Sequence, residues 1–211
     1  MNILLIGDSI RMFYEDDVKS RLGEKYNIYA PEENCRFSSY VLNSLRFWLA
    51  KYPEPDIIHF NVGLWDTAIL YSEDGCFIGI NEYVANMKKI LRVLKNTGAK
   101  VIFATTTPVS DEKKNILGPM PPAHRNEDII RYNEAVLEVF KNEDIYVNDL
   151  FLLMYEEKEK YLMEDMIHPN EEGVNLLGTA VANAILKCDV SEKHHLVDSI
   201  QTIDFNEKTI Q

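Results

Sequence analysis

Residues of the types needed for nucleophilic acyl transfer stand near the two ends of this chain. Ser9 lies in Gly7-Asp8-Ser9-Ile10, straight after the apolar run Asn2 to Ile6. A serine where a strand turns into a helix points its hydroxyl beyond the carboxyl edge of the sheet. There, unpaired backbone N–H groups face the same space and can stabilise an oxyanion. The hydroxyl is a weak nucleophile until a base takes its proton, and an imidazole base needs a carboxylate to fix its tautomer and stabilise the imidazolium. Asp165-Met166-Ile167-His168-Pro169-Asn170 offers both, with the Asp three residues before the His in a turn held by Pro169. Each motif alone has a plain alternative: Asp8 or Ser9 caps a helix, and Asp165 and His168 are surface loop residues with Asn170 as the next cap. Position links them, because the second motif follows the last expected strand and its loop opens on the same sheet edge as Ser9.

The elements that must position these groups follow from an alternation of short apolar runs with stretches of helical period, the pattern of a parallel sheet covered by helices on both faces. Five strands are expected, at Asn2–Ile6, Asn27–Ala30, Asp56–Val62, Lys100–Thr105 and Ile145–Val147. Helices are expected at Ile10–Leu22, Ser39–Lys51, Asn81–Asn96, Glu127–Asn142 and Glu171–Lys187. In the third of these, Tyr83, Met87, Ile90, Leu91 and Leu94 recur at the spacing of a buried stripe. Tyr71–Gly79 and Val109–His124 break the rhythm with Gly, Pro and charge after the third and fourth strands, and read as substrate-facing loops. One domain over residues 1–188 is expected, with 189–211 as a polar tail or arm of no catalytic role.

The bulk properties narrow the function classes. A chain of 211 residues, 46% hydrophobic, can bury a core without metal or disulfide staples. Its formal net charge of -12 repels phosphate backbones and anionic membranes, so neither nucleic acid nor membrane is an expected partner. Cys35, Cys76 and Cys188 are odd in number and form no C-x-x-C pair, which fits free thiols in a reducing compartment and makes the cytoplasm the expected location. The N-terminal apolar run is too short for a signal or a membrane span. No P-loop, dinucleotide fingerprint or zinc ligand set is visible, so neither a cofactor nor a metal is expected.

Gly7-Asp8-Ser9 after the first strand and Asp165-x-x-His168 before the last helix resemble the first and last blocks of the SGNH hydrolases, or GDSL-type esterases. The resemblance spans almost the whole chain. It implies a flavodoxin-like three-layer α/β/α sandwich, a Ser9-His168-Asp165 triad acting on a small-molecule ester, and an oxyanion hole. That hole would be built from the serine N–H, a glycine N–H in a second block and an asparagine amide in a third.

The middle blocks depart from the pattern. Asn34-Cys35-Arg36 puts Arg36 where the family has glycine, with its backbone N–H still expected to serve the oxyanion, and Gly63-Leu64-Trp65-Asp66 puts Trp65 where it has asparagine. Asn61, near the end of its strand, is the expected substitute for the missing amide, and the Trp65 indole N–H is the other available donor. Asn61 also reads simply as a strand residue bonding a neighbouring backbone. Among the remaining polar residues, His59 reads as a core histidine, His124 and Arg125 as loop charge, and Asp149 as a helix cap.

The resemblance further suggests a small acyl group, since compact members include carbohydrate O-acetylesterases, and Trp65, Tyr71 and Phe77 could stack on a sugar. A different class, a non-catalytic carbohydrate- or acyl-binding module, follows if the altered middle blocks have ended catalysis. A phosphate or nucleotide binder at the Ser9 turn is disfavoured by Asp8 beside it.

Overall fold

The computed structural model describes residues 1–52, 54–70, 75–111 and 123–190. Five strands form one all-parallel sheet: β1 (Asn2–Ile6), β2 (Asn27–Tyr29), β3 (Ile57–Asn61), β4 (Lys100–Ala104) and β5 (Tyr146–Asn148). Their spatial order is β2-β1-β3-β4-β5. β1 and β3 are apolar almost without alternation because both of their faces are covered. The chain runs outward from β1 to β2 and then returns to the other side of β1. The order therefore reverses between β1 and β3, and a crevice opens beyond their carboxyl ends.

Successive strand side chains feed two separate cores. Ile3, Leu5, Ile57, Ile102 and Ala104 pack against α1 (Ser9–Leu22) and α7 (Glu171–Val190). Leu4, Ile6, Ile58, Phe60, Val101 and Phe103 face the other way, onto α2 (Ser38–Lys51), α3 (Ile80–Lys95) and α4 (Asn126–Phe140). The result is a three-layer α/β/α sandwich. α1 contributes Ile10, Tyr14, Val18 and Leu22, one residue per turn on a single face, and α3 buries the full stripe expected from its spacing.

The five expected strands and five expected helices are all present, with ends displaced by at most three residues. The largest displacement is in α7, which continues to Val190, so the expected boundary at residue 188 falls inside a helix. Two short helices were not expected, α5 (Leu150–Tyr155) and α6 (Lys158–Tyr161), because neither is long enough to display a helical period. Asp149 caps α5 as anticipated, accepting from Leu152 N at 3.0 Å. The 191–211 segment and parts of both expected substrate-facing loops lie outside the described residues. Among the described residues, no helix is long and apolar enough to cross a membrane.

Candidate active site

Ser9 is the first residue of α1, with Asp8 as its N-cap; the Asp8 side chain accepts from Ile10 N at 3.0 Å. As the opening residue of the helix, Ser9 has no acceptor one turn earlier for its own N–H. Its Oγ lies 2.8 Å from Nε2 of His168, and His168 Nδ1 lies 2.7 Å from Asp165 Oδ2. Serine, imidazole and carboxylate thus form one continuous chain although 159 residues separate its first two members.

The loop carrying His168 is held by its own backbone. Asp165 Oδ1 accepts from Ile167 N at 3.0 Å and His168 N at 2.9 Å, while Met163 N donates to His168 O at 2.8 Å. Ser110 N, from the segment after β4, donates to Met166 O at 3.0 Å. Partial burial raises the Asp165 carboxyl, but hydrogen bonds from His168 and Ile167 together outweigh it and hold the group below its ordinary value. The carboxylate therefore stays ionised beside the imidazole.

Beneath Ser9 the charged groups are buried. Burial pushes Asp8 up to about 6, against the opposing pull of the Ile10 N–H and the charges of His168 and Arg11. Arg11, also buried, donates to Pro31 O at 3.0 Å and Glu33 O at 2.8 Å and pairs with Glu15. It ties α1 to the loop after β2. A Cβ at position 7 would lie 2.6 Å from that of Arg11, so this approach requires glycine.

That loop presents Arg36 in the left-handed region, φ 53, where the resembled pattern carries glycine. An arginine here holds a backbone conformation that favours glycine. However, Arg36 N donates to Asn34 Oδ1 at 2.8 Å, so the N–H expected to face an oxyanion is engaged in a local turn. The expectation for Asn61 also needs correction. Its Nδ2 donates to Ala104 O at 3.1 Å and Thr105 O at 3.0 Å, leaving no amide hydrogen for substrate. The side chain joins β3 to the end of β4. Asn61→Ala is accordingly expected to destabilise the fold by roughly 1–3 kcal/mol and leave turnover per folded molecule unchanged, which denaturant melts alongside esterase assays will check.

Trp65 is half-buried, and its indole N–H makes no hydrogen bond among the described residues. The turn that carries it starts at Gly63, where φ is 155 and a Cβ would meet Thr106 Oγ1 at 2.2 Å. It is secured by Asp66, whose carboxylate accepts from both the backbone N–H and the hydroxyl of Ser38 at the start of α2. Burial pushes Asp66 up to about 7 from 3.8.

The folded protein thus keeps on Asp66 a proton that the unfolded chain loses from about pH 4 upward. The stability this contributes is complete below that pH and is lost as pH rises through about 7. Asp8 acts in the same direction up to about 6. Thermal melts should therefore show the midpoint falling between about pH 4 and about pH 7, with a smaller fall in Asp66→Asn, which keeps an acceptor for Ser38.

The other polar residues divide. His59 is fully buried, edge-on to Tyr14 and 3.3 Å from Asn148 Nδ2, and burial pushes it down to about 3, so it is a neutral core histidine. Arg125 pairs with Asp128 at 2.8 Å. His124 departs from the loop-charge expectation: its Nδ1 lies 3.5 Å from Thr67 Oγ1, and burial and the nearby His168 charge push it down to about 4. The antiparallel bridge of Ala123 with Ile69 brings it there, a tertiary pairing with no sequence signal. Phe77 is exposed and packs on Phe37, while Tyr71 lies outside the described residues. Sequence reasoning also missed Phe13, which stacks on His168; its only signal was its place one helical turn after Ser9.

A parallel sheet in the order 2-1-3-4-5, with a serine at the end of β1 facing an Asp-x-x-His loop, defines an α/β/α fold of the hydrolase type. Residues 5–176 match the model of the GDSL-like Lipase/Acylhydrolase family, and the chain belongs to that family. No curated protein matches it in sequence. Solved structures share the fold at low identity. A member of the lipolytic G-D-S-L family from Veillonella parvula superposes with a TM-score of 0.68 at 16% identity, covering 89% of this chain and 99% of its own. A carbohydrate esterase family 3 protein from Talaromyces cellulolyticus gives 0.66 at 15%, covering 90% and 100%. An acetylxylan esterase from Geobacillus stearothermophilus gives 0.66 at 15%, covering 87% and 93%.

Proposed function

We propose that this protein is a serine ester hydrolase that removes a small acyl group, acetyl in the first instance, from a carbohydrate or a similar small ester. The observation that carries the reading is the unbroken path from Asp165 Oδ2 through His168 to Ser9 Oγ, with contacts of 2.7 and 2.8 Å. In the reaction His168 Nε2 takes the Ser9 proton as Oγ attacks the ester carbonyl, and Asp165 stabilises the imidazolium. His168 then protonates the leaving alkoxide. A water molecule, deprotonated by the same nitrogen, releases the acid from the acyl-enzyme. The Ser9 N–H and the Trp65 indole are the donors available to the oxyanion.

The choice of a carbohydrate ester rests on the acetylxylan esterase and carbohydrate esterase among the proteins that share the fold, and on aromatic Trp65 and Phe77 in the loops after β3. It is tested by release of acetate from acetylated sugars compared with hydrolysis of p-nitrophenyl acetate. No acetate from any acetylated sugar, with efficient cleavage of the aryl ester, would reject the carbohydrate and keep the hydrolase.

A second reading, a carbohydrate- or acyl-binding module, is favoured by one observation: the Arg36 N–H and the Asn61 amide are both engaged elsewhere. Fluorophosphonate labelling separates the two, since only an activated serine reacts. Failure of Ser9 to label in folded protein would favour the module.

A further inference from the structure

We infer that Phe13 is a positioning residue for His168, a role that rests on the proposed serine hydrolase reading. The ring of Phe13 lies 5.0 Å from that of His168, centroid to centroid, with an interplanar angle of 26°. Ser9 and Phe13 are four residues apart on α1 and so share a helix face, one turn apart. The imidazole from the distant loop settles over that face, reaching Ser9 with its edge and Phe13 with its flat side.

Two hydrogen bonds, at Nδ1 and Nε2, fix the direction of the imidazole across the site. They leave one freedom, tipping of the ring about the line joining those contacts. Tipping keeps the Nε2–Oγ distance but carries Nε2 around that line, changing the angle at which it meets the Ser9 O–H, and a proton transfer is sensitive to that alignment. The Phe13 face removes this freedom. It also presents the negative side of an aromatic quadrupole to the imidazolium that forms as Ser9 attacks. Among the described residues, Asp165 meets His168 at the ring edge, Asp8 and His124 interact with it electrostatically, and Phe13 stacks on its flat side.

Phe13 is itself 40% exposed, a large apolar side chain left partly in water beside the site. The core face of α1 is formed by other residues, Ile10, Tyr14, Val18 and Leu22. The contact with His168 accounts for an aromatic residue at this position where packing of the helix does not.

The test compares Phe13→Leu, Phe13→Ala and Phe13→Tyr with wild type in hydrolysis of p-nitrophenyl acetate. Leucine keeps the bulk without the aromatic face and is expected to lower kcat about two- to fivefold, the size of an exposed cation–π contact. Alanine also frees the ring to tip, and kcat should fall about tenfold to a hundredfold. Tyrosine should retain at least half of the wild-type kcat. In all three, KM should stay within twofold, and thermal midpoints will show that the leucine and tyrosine variants are folded.

Wild-type kcat in Phe13→Leu and Phe13→Ala would overturn the proposal, as would a change in KM with kcat preserved, because the ring would then contact substrate and not the base. Failure of the underlying reading looks different: Ser9→Ala would hydrolyse the same ester as fast as wild type. A dead Ser9→Ala beside fully active Phe13 variants rejects only the role of Phe13.

Discussion

Replacing Ser9 by alanine is expected to lower kcat for p-nitrophenyl acetate by at least about 10⁴-fold, the scale seen when the nucleophile of a serine hydrolase is removed. The change deletes one oxygen atom at the start of α1. It leaves intact the Asp8 cap on Ile10 and the Arg11 bonds to the loop after β2, so the helix and its anchorage persist. The thermal midpoint should therefore stay near that of wild type, and fluorophosphonate labelling should disappear. Equal rates for the two proteins would remove Ser9 from the chemistry and, with it, the proposed function.

The second large effect is expected at Asp165, and two substitutions separate its roles. Asp165→Asn keeps an oxygen that can accept from Ile167 N and His168 N, so the loop retains its shape. It loses the negative charge and can offer an N–H to His168 Nδ1, favouring the tautomer that carries its proton on Nε2, toward Ser9. That nitrogen then has no lone pair to receive the hydroxyl proton, and kcat should fall by about 10³- to 10⁴-fold with little change in stability. Asp165→Ala removes the backbone acceptor as well and should lower the thermal midpoint in addition. Steady-state kinetics and thermal melts on both variants give the comparison. An asparagine variant with wild-type kcat would mean that His168 does not need the carboxylate for tautomer or charge.

The features of this site that could be read from the sequence were those written in local chemistry. Ser9 after an apolar strand, and Asp165 three residues before His168 and a proline, carry their meaning in spacing, and the structure brings the three side chains together. The strands and long helices were legible for a similar reason. Unbroken apolar runs and a three-and-four stripe report burial on two faces or on one.

The details that depend on partners distant in the chain were not legible. Asn61 offers the right amide near the right strand end, yet the carbonyls of Ala104 and Thr105 on the neighbouring strand claim both of its hydrogens. Arg36 shows the limit from the other side. Its left-handed backbone reproduces what glycine would do, while the side chain of Asn34 takes up its N–H. His124 reaches the site only through the bridge of Ala123 with Ile69.

The pairing of Ser9 with His168 across 159 positions also bears on the life of the chain before it is complete. During synthesis the serine leaves the ribosome 159 residues ahead of the histidine, which follows all five strands. α7, which packs against the serine's own helix, comes after the histidine. On the proposed function, a nascent or truncated chain lacking His168 carries the serine without its base, so its hydroxyl has the reactivity of any exposed alcohol. Hydrolytic competence would then mark a finished tertiary structure, with partly made chains chemically silent toward the esters around them.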